Sequence, residues 1–172
     1  MTQLRFLDIF IEDDDDKLVP TLTEALKHNS TIDLIDLGYN SFGDKGCVEF
    51  SEALKVNSTF TKVDLKNNSI GNEGTFALAE ALMVNFRVTE IDLGTNIIEY
   101  EGAIALSEML RLNSTLVKIV LKSNSIGNQG VLSLAEALEI NSTIADVDLR
   151  YNLIDTEISE RLERISNDRL LI

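Results

Sequence analysis

One eighteen-residue phrase recurs along the chain at a fixed spacing of 28 residues. It reads NSTIDLIDLGYNSFGDKG at 29–46, NSTFTKVDLKNNSIGNEG at 57–74 and NSTLVKIVLKSNSIGNQG at 113–130. A more divergent copy occupies 85–102, and the copy that begins at Asn141 lacks the final glycine. A fixed period of this length predicts a solenoid, in which each unit packs only on its neighbours.

The repeat organises the whole chain as a single domain, 1–172. We predict a degenerate first repeat at 1–28 and a C-terminal capping repeat at 141–172, where charge is denser and the glycine is lost, as suits a unit whose outer side meets water. The regular repeats between them span 29–56, 57–84, 85–112 and 113–140.

Two hydrophobic periods alternate within each repeat. Ile35 and Leu37 stand two residues apart, which is typical of a short strand with one buried face. A second set recurs at helical spacing and defines one buried helix face: Gly46, Cys47, Phe50, Ala53, Leu54 and Asn57. Parallel strands backed by helices bury both faces, so we predict six parallel strands in an α/β solenoid.

These patterns resemble a known family. The pattern L-x-x-L-x-L-x-x-N-x-L, followed by a helix that starts at a glycine, resembles the leucine-rich repeat. The 28-residue unit and the phrase LAEAL at 78–82 and 134–138 are similar to its ribonuclease-inhibitor-like class, which includes cytosolic nucleotide-sensing receptors, tropomodulins and Ran GTPase-activating proteins. The resemblance implies a right-handed solenoid, a short horseshoe arc with strands on the concave side and helices on the convex side. It implies no single function, because the class binds unrelated partners.

Two repeated asparagine columns have structural interpretations. The first column follows the strands, where we expect the amides to bond backbone groups that the turn leaves unpaired: Asn40, Asn68, Asn96, Asn124 and Asn152. The second column begins the recurring Asn-Ser-Thr and follows the helices, where we expect asparagine in the left-handed conformation of a helix end: Asn29, Asn57, Asn113 and Asn141. The single cysteine, Cys47, stands in a column of small residues and is predicted to be buried.

The composition restricts the class of partner that the chain is expected to bind. The formal net charge is −14, from 29 acidic and 15 basic residues; this disfavours a nucleic-acid ligand and favours a basic protein partner. No apolar run is long enough to span a membrane and no signal peptide is evident, so we expect no membrane contact and a cytoplasmic location. There is no metal-ligand cluster, phosphate loop or nucleophile motif, so we expect neither a cofactor nor an enzyme.

The outward residues of the strands form the wall that we call the concave wall. One of its columns is acidic, with Asp36, Asp64 and Asp92 in successive repeats; this acidic column either solubilises the wall or contacts a ligand. The N-terminal end is instead apolar, with Gly38 leaving room beside Phe10, and either binds a partner or is covered by the N-terminus or another subunit. The predicted contact residues are Phe6, Phe10, Leu34, Asp36, Tyr39, Lys62, Asp64, Lys66, Glu90, Asp92, Lys118, Lys122, Arg150 and Tyr151.

A second column lies on the outward side of the helices, and we call it the convex stripe. Its members are Pro20, Val48, Phe76, Ile104 and Leu132, edged by glutamates. It could serve as a docking or oligomer face, but we favour burial between tilted neighbouring helices. We expect a monomer, with self-association through the first strand or the convex stripe as the alternative.

The resulting prediction is a non-enzymatic protein-interaction scaffold that presents an acidic concave wall. One alternative is regulation of a small GTPase, by analogy with the Ran-directed relatives, with Arg150 as the candidate arginine. Another is an effector scaffold that a microbe delivers into host cells.

Overall fold

The computed structural model describes residues 6–8, 18–165 and 169–172. Within them, short strands alternate with helices, one pair to a repeat. The strands are β1 (Phe6–Asp8), β2 (Leu34–Asp36), β3 (Lys62–Asp64), β4 (Glu90–Asp92), β5 (Lys118–Val120), β6 (Asp146–Asp148) and β7 (Leu170–Leu171). The helices are α1 (Leu18–His28), α2 (Gly43–Val56), α3 (Asn72–Val84), α4 (Tyr100–Leu112), α5 (Asn128–Ile140) and α6 (Thr156–Ile165).

The strands form one parallel sheet in chain order from β1 to β7. From β1 to β6 the register advances by one repeat per strand, so that Leu34 pairs with Lys62 and Lys62 with Glu90. The α/β solenoid is therefore confirmed, but the prediction of six strands was wrong. Leu170 pairs with Val147 and adds a seventh strand, which is too short to leave a periodic signal in the sequence.

The core runs lengthwise between the sheet and the helices. Ile35 and Leu37 are fully buried from the strand side. The predicted inward face of α2 is confirmed, because every member from Gly46 to Asn57 is buried. Cys47 belongs to this core, and burial raises the pKa of its thiol to about 12, so the thiol stays protonated and serves as a small apolar side chain.

The turn asparagines join each repeat to the one before it, as predicted. The Asn96 amide donates to the carbonyls of Leu93 and Leu65, one in its own repeat and one in the previous repeat. Its oxygen accepts from the backbone N–H groups of Asn68 and Ile70. The same pattern of bonds to the preceding repeat recurs at Asn68, Asn124 and Asn152.

The prediction that the helix-end asparagines adopt the left-handed conformation was wrong. Asn57 has φ −70° and ψ 130°, which is extended, and it is buried. Its amide donates to the carbonyls of Leu26 and Asn29 in the previous repeat, while its oxygen accepts from the N–H groups of Thr59 and Phe60. These asparagines therefore form a second ladder between repeats, and that role requires extended backbone with an inward side chain.

The left-handed residues stand at the other edge, directly before the turn asparagines. Their φ values lie between 52° and 60°: Tyr39, Asn67, Thr95, Ser123 and Tyr151. The sequence did not reveal this column because only Asn67 is a residue type that favours positive φ. Repeat packing imposes the conformation on whichever side chain stands there.

The convex stripe is neither fully buried nor fully open. Val48, Ile104 and Leu132 are half-buried, whereas Phe76 and Pro20 are exposed. The expected burial therefore holds only in part, for Val48, Ile104 and Leu132. No helix in the described ranges has the length and apolar character that crossing a membrane requires.

Candidate functional site

The strands present their outward residues side by side and form an open groove of about 360 Å³ along the concave wall. Neighbouring parallel strands are about 4.8 Å apart, so one residue column crosses the groove with each strand. The groove is lined by Leu34, Ile35, Asp36, Lys62, Val63, Asp64, Glu90, Ile91, Asp92, Lys118 and Val120. Seven of the predicted contact residues therefore line one continuous surface.

The acidic column has a structural role that was not predicted from the sequence. Asp36 Oδ1 accepts the backbone N–H of Gly38 at 2.9 Å, and Asp92 Oδ1 accepts that of Gly94 at 2.8 Å. Asp64 and Asp148 accept the equivalent N–H two residues on. Each aspartate closes a local turn at the end of its strand, and its orientation is fixed before any ligand arrives.

Most cations of the concave wall are engaged in ion pairs. Lys66 Nζ lies 2.8 Å from Asp64, as expected from the proximity of the two columns. Lys62 instead pairs with Glu90 at 2.7 Å, away from the acidic column. Lys118 pairs with Asp146 in the next strand. These pairs engage three lysines of the wall, whereas two of its aspartates form no ion pair within the described residues.

Those two aspartates are Asp36 and Asp92. Within the described residues, neither has a cation within ion-pair distance, and Lys122 likewise has no ion pair. Both aspartates are half-buried in the groove. Burial raises the pKa of Asp92 above its ordinary value and the neighbouring Asp64 adds repulsion, whereas the Gly94 N–H and the charges of Lys66 and Lys122 oppose the shift. A cation brought by a partner would relieve this cost.

Arg150 closes the C-terminal end of the wall. Its guanidinium forms two bonds to Asp148, from Nε at 2.9 Å and from an Nη at 2.7 Å. The bidentate pair lowers the pKa of Asp148 and raises that of Arg150. Arg150 is therefore held against its own strand and does not project freely into the groove.

Two tyrosines flank the groove. Tyr39 is 64% exposed at its N-terminal end and Tyr151 is 80% exposed at its C-terminal end. The Lys66 ammonium lies 5.2 Å from the centre of the Tyr39 ring, in a cation–π contact. Exposed tyrosines are favoured contact residues because they bring a large amphipathic surface with few rotatable bonds.

The predicted apolar cluster at the N-terminal end is described only in part. Leu34 is half-buried and pairs in register with Phe6 of β1, whereas Phe10 lies outside the described residues. The predicted room beside Phe10 therefore stays a prediction, but a Cβ at Gly38 would meet Asp36, Asp64 and the Lys66 stem at 3.1 to 3.2 Å. The glycine makes room for the acidic column and for lysine.

Val120 was not among the predicted contact residues. It stands where the other repeats have aspartate, and it is buried in the floor of the groove. The break in the acidic column was the available signal. With Leu34 it gives the groove an apolar floor beside its charged groups.

Comparison with known proteins agrees with this geometry. Residues 28–51, 56–79 and 112–135 match the family described as Leucine Rich repeat. The fold is similar to that of the solved structure of Leiomodin-1 Actin-Binding Site 2, with a TM-score of 0.77 and 21% identity over 90% of this chain and 91% of that chain. It is also similar to the tropomodulin C-terminal domain of Caenorhabditis elegans, with a TM-score of 0.72 and 16% identity over 89% of this chain and 93% of that chain. No curated protein sequence matches the chain significantly.

Proposed function

We propose that this chain, three of whose repeats match the Leucine Rich repeat family, binds a protein partner on its concave wall through a basic segment of that partner. The observation that carries the proposal is a pair of half-buried carboxylates, Asp36 and Asp92, that lie in one preformed groove and form no ion pair within the described residues. Three lysines of the wall, Lys62, Lys66 and Lys118, are already paired with acids, which reduces their repulsion of an incoming cation.

The spacing of the two aspartates sets the spacing that two basic side chains of a partner need. They lie two strands apart, which places them about 10 Å from each other. Two lysine or arginine side chains of a partner at that separation would each meet one carboxylate. Leu34 and Val120 supply apolar contact nearby, and Tyr39 and Tyr151 flank the groove, so the site combines charge with apolar surface as protein interfaces do.

The wall is ordered before binding. The hydrogen bonds from Gly38 to Asp36 and from Gly94 to Asp92 fix both carboxylates, so little conformational entropy is lost when a partner arrives. The net charge of −14 also steers a basic surface toward the chain. We therefore expect association to slow markedly as ionic strength rises.

Quantitative affinity capture from lysate tests the proposal. The wild-type protein is compared with the double variant Asp36→Asn/Asp92→Asn, because asparagine keeps the acceptor for the Gly38 and Gly94 N–H groups and removes only the charge. A matched variant, Glu73→Gln/Glu157→Gln, removes two exposed charges from the helices. Loss of the same captured proteins with the first variant alone is expected. Equal recovery with all three proteins would overturn the proposal.

Actin is a specific candidate partner. The structure titled as the actin-binding site of leiomodin-1 covers nearly the same length as this chain. We propose testing actin directly by co-sedimentation with filaments and by titration of monomers, each with wild type and with Asp36→Asn/Asp92→Asn. Binding that the double variant loses would identify actin as a concave-wall ligand, and absence of binding would eliminate it.

Regulation of a small GTPase gains less support. That activity needs an arginine free to reach the nucleotide, whereas Arg150 is held by two bonds to Asp148. A partner would have to break this pair first. Single-turnover GTP hydrolysis by a Ran-type GTPase, with wild type and Arg150→Ala, tests the alternative; acceleration that the variant loses would establish it.

A further inference from the structure

A column of aliphatic side chains lies exposed at the helix C-termini, and we call it the edge column. Its members are the last residues of α2 to α5, each 56% to 66% exposed: Val56, Val84, Leu112 and Ile140. Phe86, close to Val84 in the chain, is also exposed and stands where the other repeats have serine. Single exposed aliphatic residues are ordinary, but four in register across successive repeats form a continuous apolar strip.

Neither helix stability nor core packing accounts for the edge column. The last turn of a helix favours cations, because its carbonyl groups carry the negative end of the helix dipole. The asparagine that follows each member already makes the bonds between repeats. The exposed side chain itself contributes little burial, so an apolar residue at this position costs solubility with no structural return.

The surroundings of the edge column are acidic. Four residues before each member stands an exposed glutamate, which lies one helical turn away on the same face: Glu52, Glu80, Glu108 and Glu136. Lys55 pairs with Glu52 and Glu80, and Arg111 pairs with Glu136. Glu108 has no ion pair within the ranges that the structure describes. The glutamates outnumber their cations, and the helix dipoles add negative potential at the same edge.

The spacing of the edge column points to a helical partner. Packed helices lie about 8–10 Å apart, so the members recur at about that interval. Residues seven apart on an α-helix share one face and are separated by about 10.5 Å. An extended strand repeats its face at about 6.6 or 13 Å and fits this interval poorly.

We propose that the edge column binds an amphipathic helix with aliphatic residues at seven-residue spacing and lysine or arginine beside them. A second copy of this chain fits less well, because it would bring its own glutamates against these. An anionic lipid surface meets the same repulsion. The site is separate from the concave wall and does not depend on the function proposed for that wall.

The probe is a synthetic peptide of about 25 residues that carries leucine at every seventh position and lysine on the flanks of that face. A control peptide has the same composition and charge, with the leucines moved to every fifth position. Binding is measured by fluorescence anisotropy with wild type, Val84→Gln/Leu112→Gln and Asp36→Asn/Asp92→Asn, and thermal unfolding verifies that each variant folds.

We expect the heptad peptide to bind wild type at least tenfold more tightly than it binds Val84→Gln/Leu112→Gln. The concave-wall variant and wild type should bind it within twofold of each other. Equal binding of the two peptides, or equal binding to wild type and the glutamine variant, would overturn the proposal. Dimerisation of wild type that the glutamine variant abolishes, or its binding to anionic vesicles, would overturn it in favour of a second copy or a lipid surface.

Discussion

Arg169 donates through its guanidinium to the carbonyl of Asn141 at 2.8 Å, and a second bond reaches Leu138 at the same distance. These acceptors lie 28 and 31 residues earlier, the offsets at which Asn57 donates to Asn29 and Leu26. Arg169 thus occupies the next position of the helix-end asparagine ladder and continues its bonds with a different side chain.

Replacing Arg169 by alanine should destabilise the fold by about 1–3 kcal/mol, because the carbonyls of Leu138 and Asn141 at the end of α5 lose a hydrogen-bond donor. Arg87→Ala is the matched control, since the Arg87 guanidinium makes no hydrogen bond within the described residues. Urea unfolding measures both free energies. A loss no larger for Arg169 than for Arg87 would show that the ladder needs no donor at this end.

The turn asparagines should be far more sensitive. The Asn96 side chain is buried and bonds five backbone groups in two repeats, so Asn96→Ala should cost at least about 2–3 kcal/mol. At low pH, where the carboxyl is neutral, Asn96→Asp keeps an acceptor oxygen and replaces the two N–H donors by one O–H donor, so we expect an intermediate loss there. Denaturant unfolding ranks the free energies of unfolding of wild type, Asn96→Asp and Asn96→Ala. An alanine variant as stable as wild type would contradict the role of Asn96 in joining repeats.

The left-handed column offers a stabilising substitution. Thr95 has φ 56°, a conformation that a β-branched residue disfavours, whereas asparagine at the equivalent Asn67 tolerates it. Thr95→Asn should therefore stabilise the protein by about 0.5–1 kcal/mol. The reciprocal variant Asn67→Thr should lose a similar amount. Thermal unfolding tests the pair, and changes of the same sign would refute the conformational explanation.

A helix that lacks a side-chain cap offers a second substitution that should increase stability. Asn72 Oδ1 accepts the N–H groups of Glu99 and Gly102 and so caps α4 from the previous repeat. Tyr100 stands at the equivalent position before α5, whose cap residue Gly127 receives no side-chain bond. Tyr100→Asn should add about 1 kcal/mol, and Asn72→Ala should lose about as much. Unfolding midpoints of both variants provide the measurement; no gain from Tyr100→Asn would mean that the asparagine does not reach α5.

The aspartates of the wall should respond to pH with opposite signs. Burial raises the folded pKa of Asp92, so its ionisation opposes folding, and that cost develops as pH rises from the unfolded to the folded pKa. Asp92→Asn should therefore be more stable than wild type at pH 7, with the difference vanishing in acid.

Asp148 has a lowered folded pKa because Arg150 binds its ionised form. Its contribution to stability is present above the unfolded pKa and is lost as pH falls through the folded pKa. Asp148→Asn should be less stable than wild type at neutral pH and equal to it in strong acid. Unfolding free energies from pH 2 to 7 test both variants, and parallel pH profiles would contradict the assignment.

The sequence predicted what depends on periodicity. Ile35 and Phe50 recur at strand and helix spacing, and both are buried as expected. Properties that depend on contacts between repeats left no such signal. The pairing of Arg150 with Asp148, the role of Arg169 and the positive φ of Thr95 arise from neighbouring backbone and side chains that no single repeat contains. The groove residues were predicted from their columns in the repeat. Which of the carboxylates form no ion pair could be seen only from the positions of the side chains in the structure.

The central claim is that Asp36 and Asp92 bind the basic segment of a protein partner. The most direct measurement is calorimetric titration of the most enriched captured protein, or of actin, into wild type, Asp36→Asn/Asp92→Asn and Val84→Gln/Leu112→Gln. We expect the titrated protein to bind Asp36→Asn/Asp92→Asn at least tenfold more weakly than wild type and to bind Val84→Gln/Leu112→Gln as tightly as wild type. The affinity of wild type should fall as the salt concentration rises. Equal affinity for wild type and the aspartate variant at low salt would contradict it.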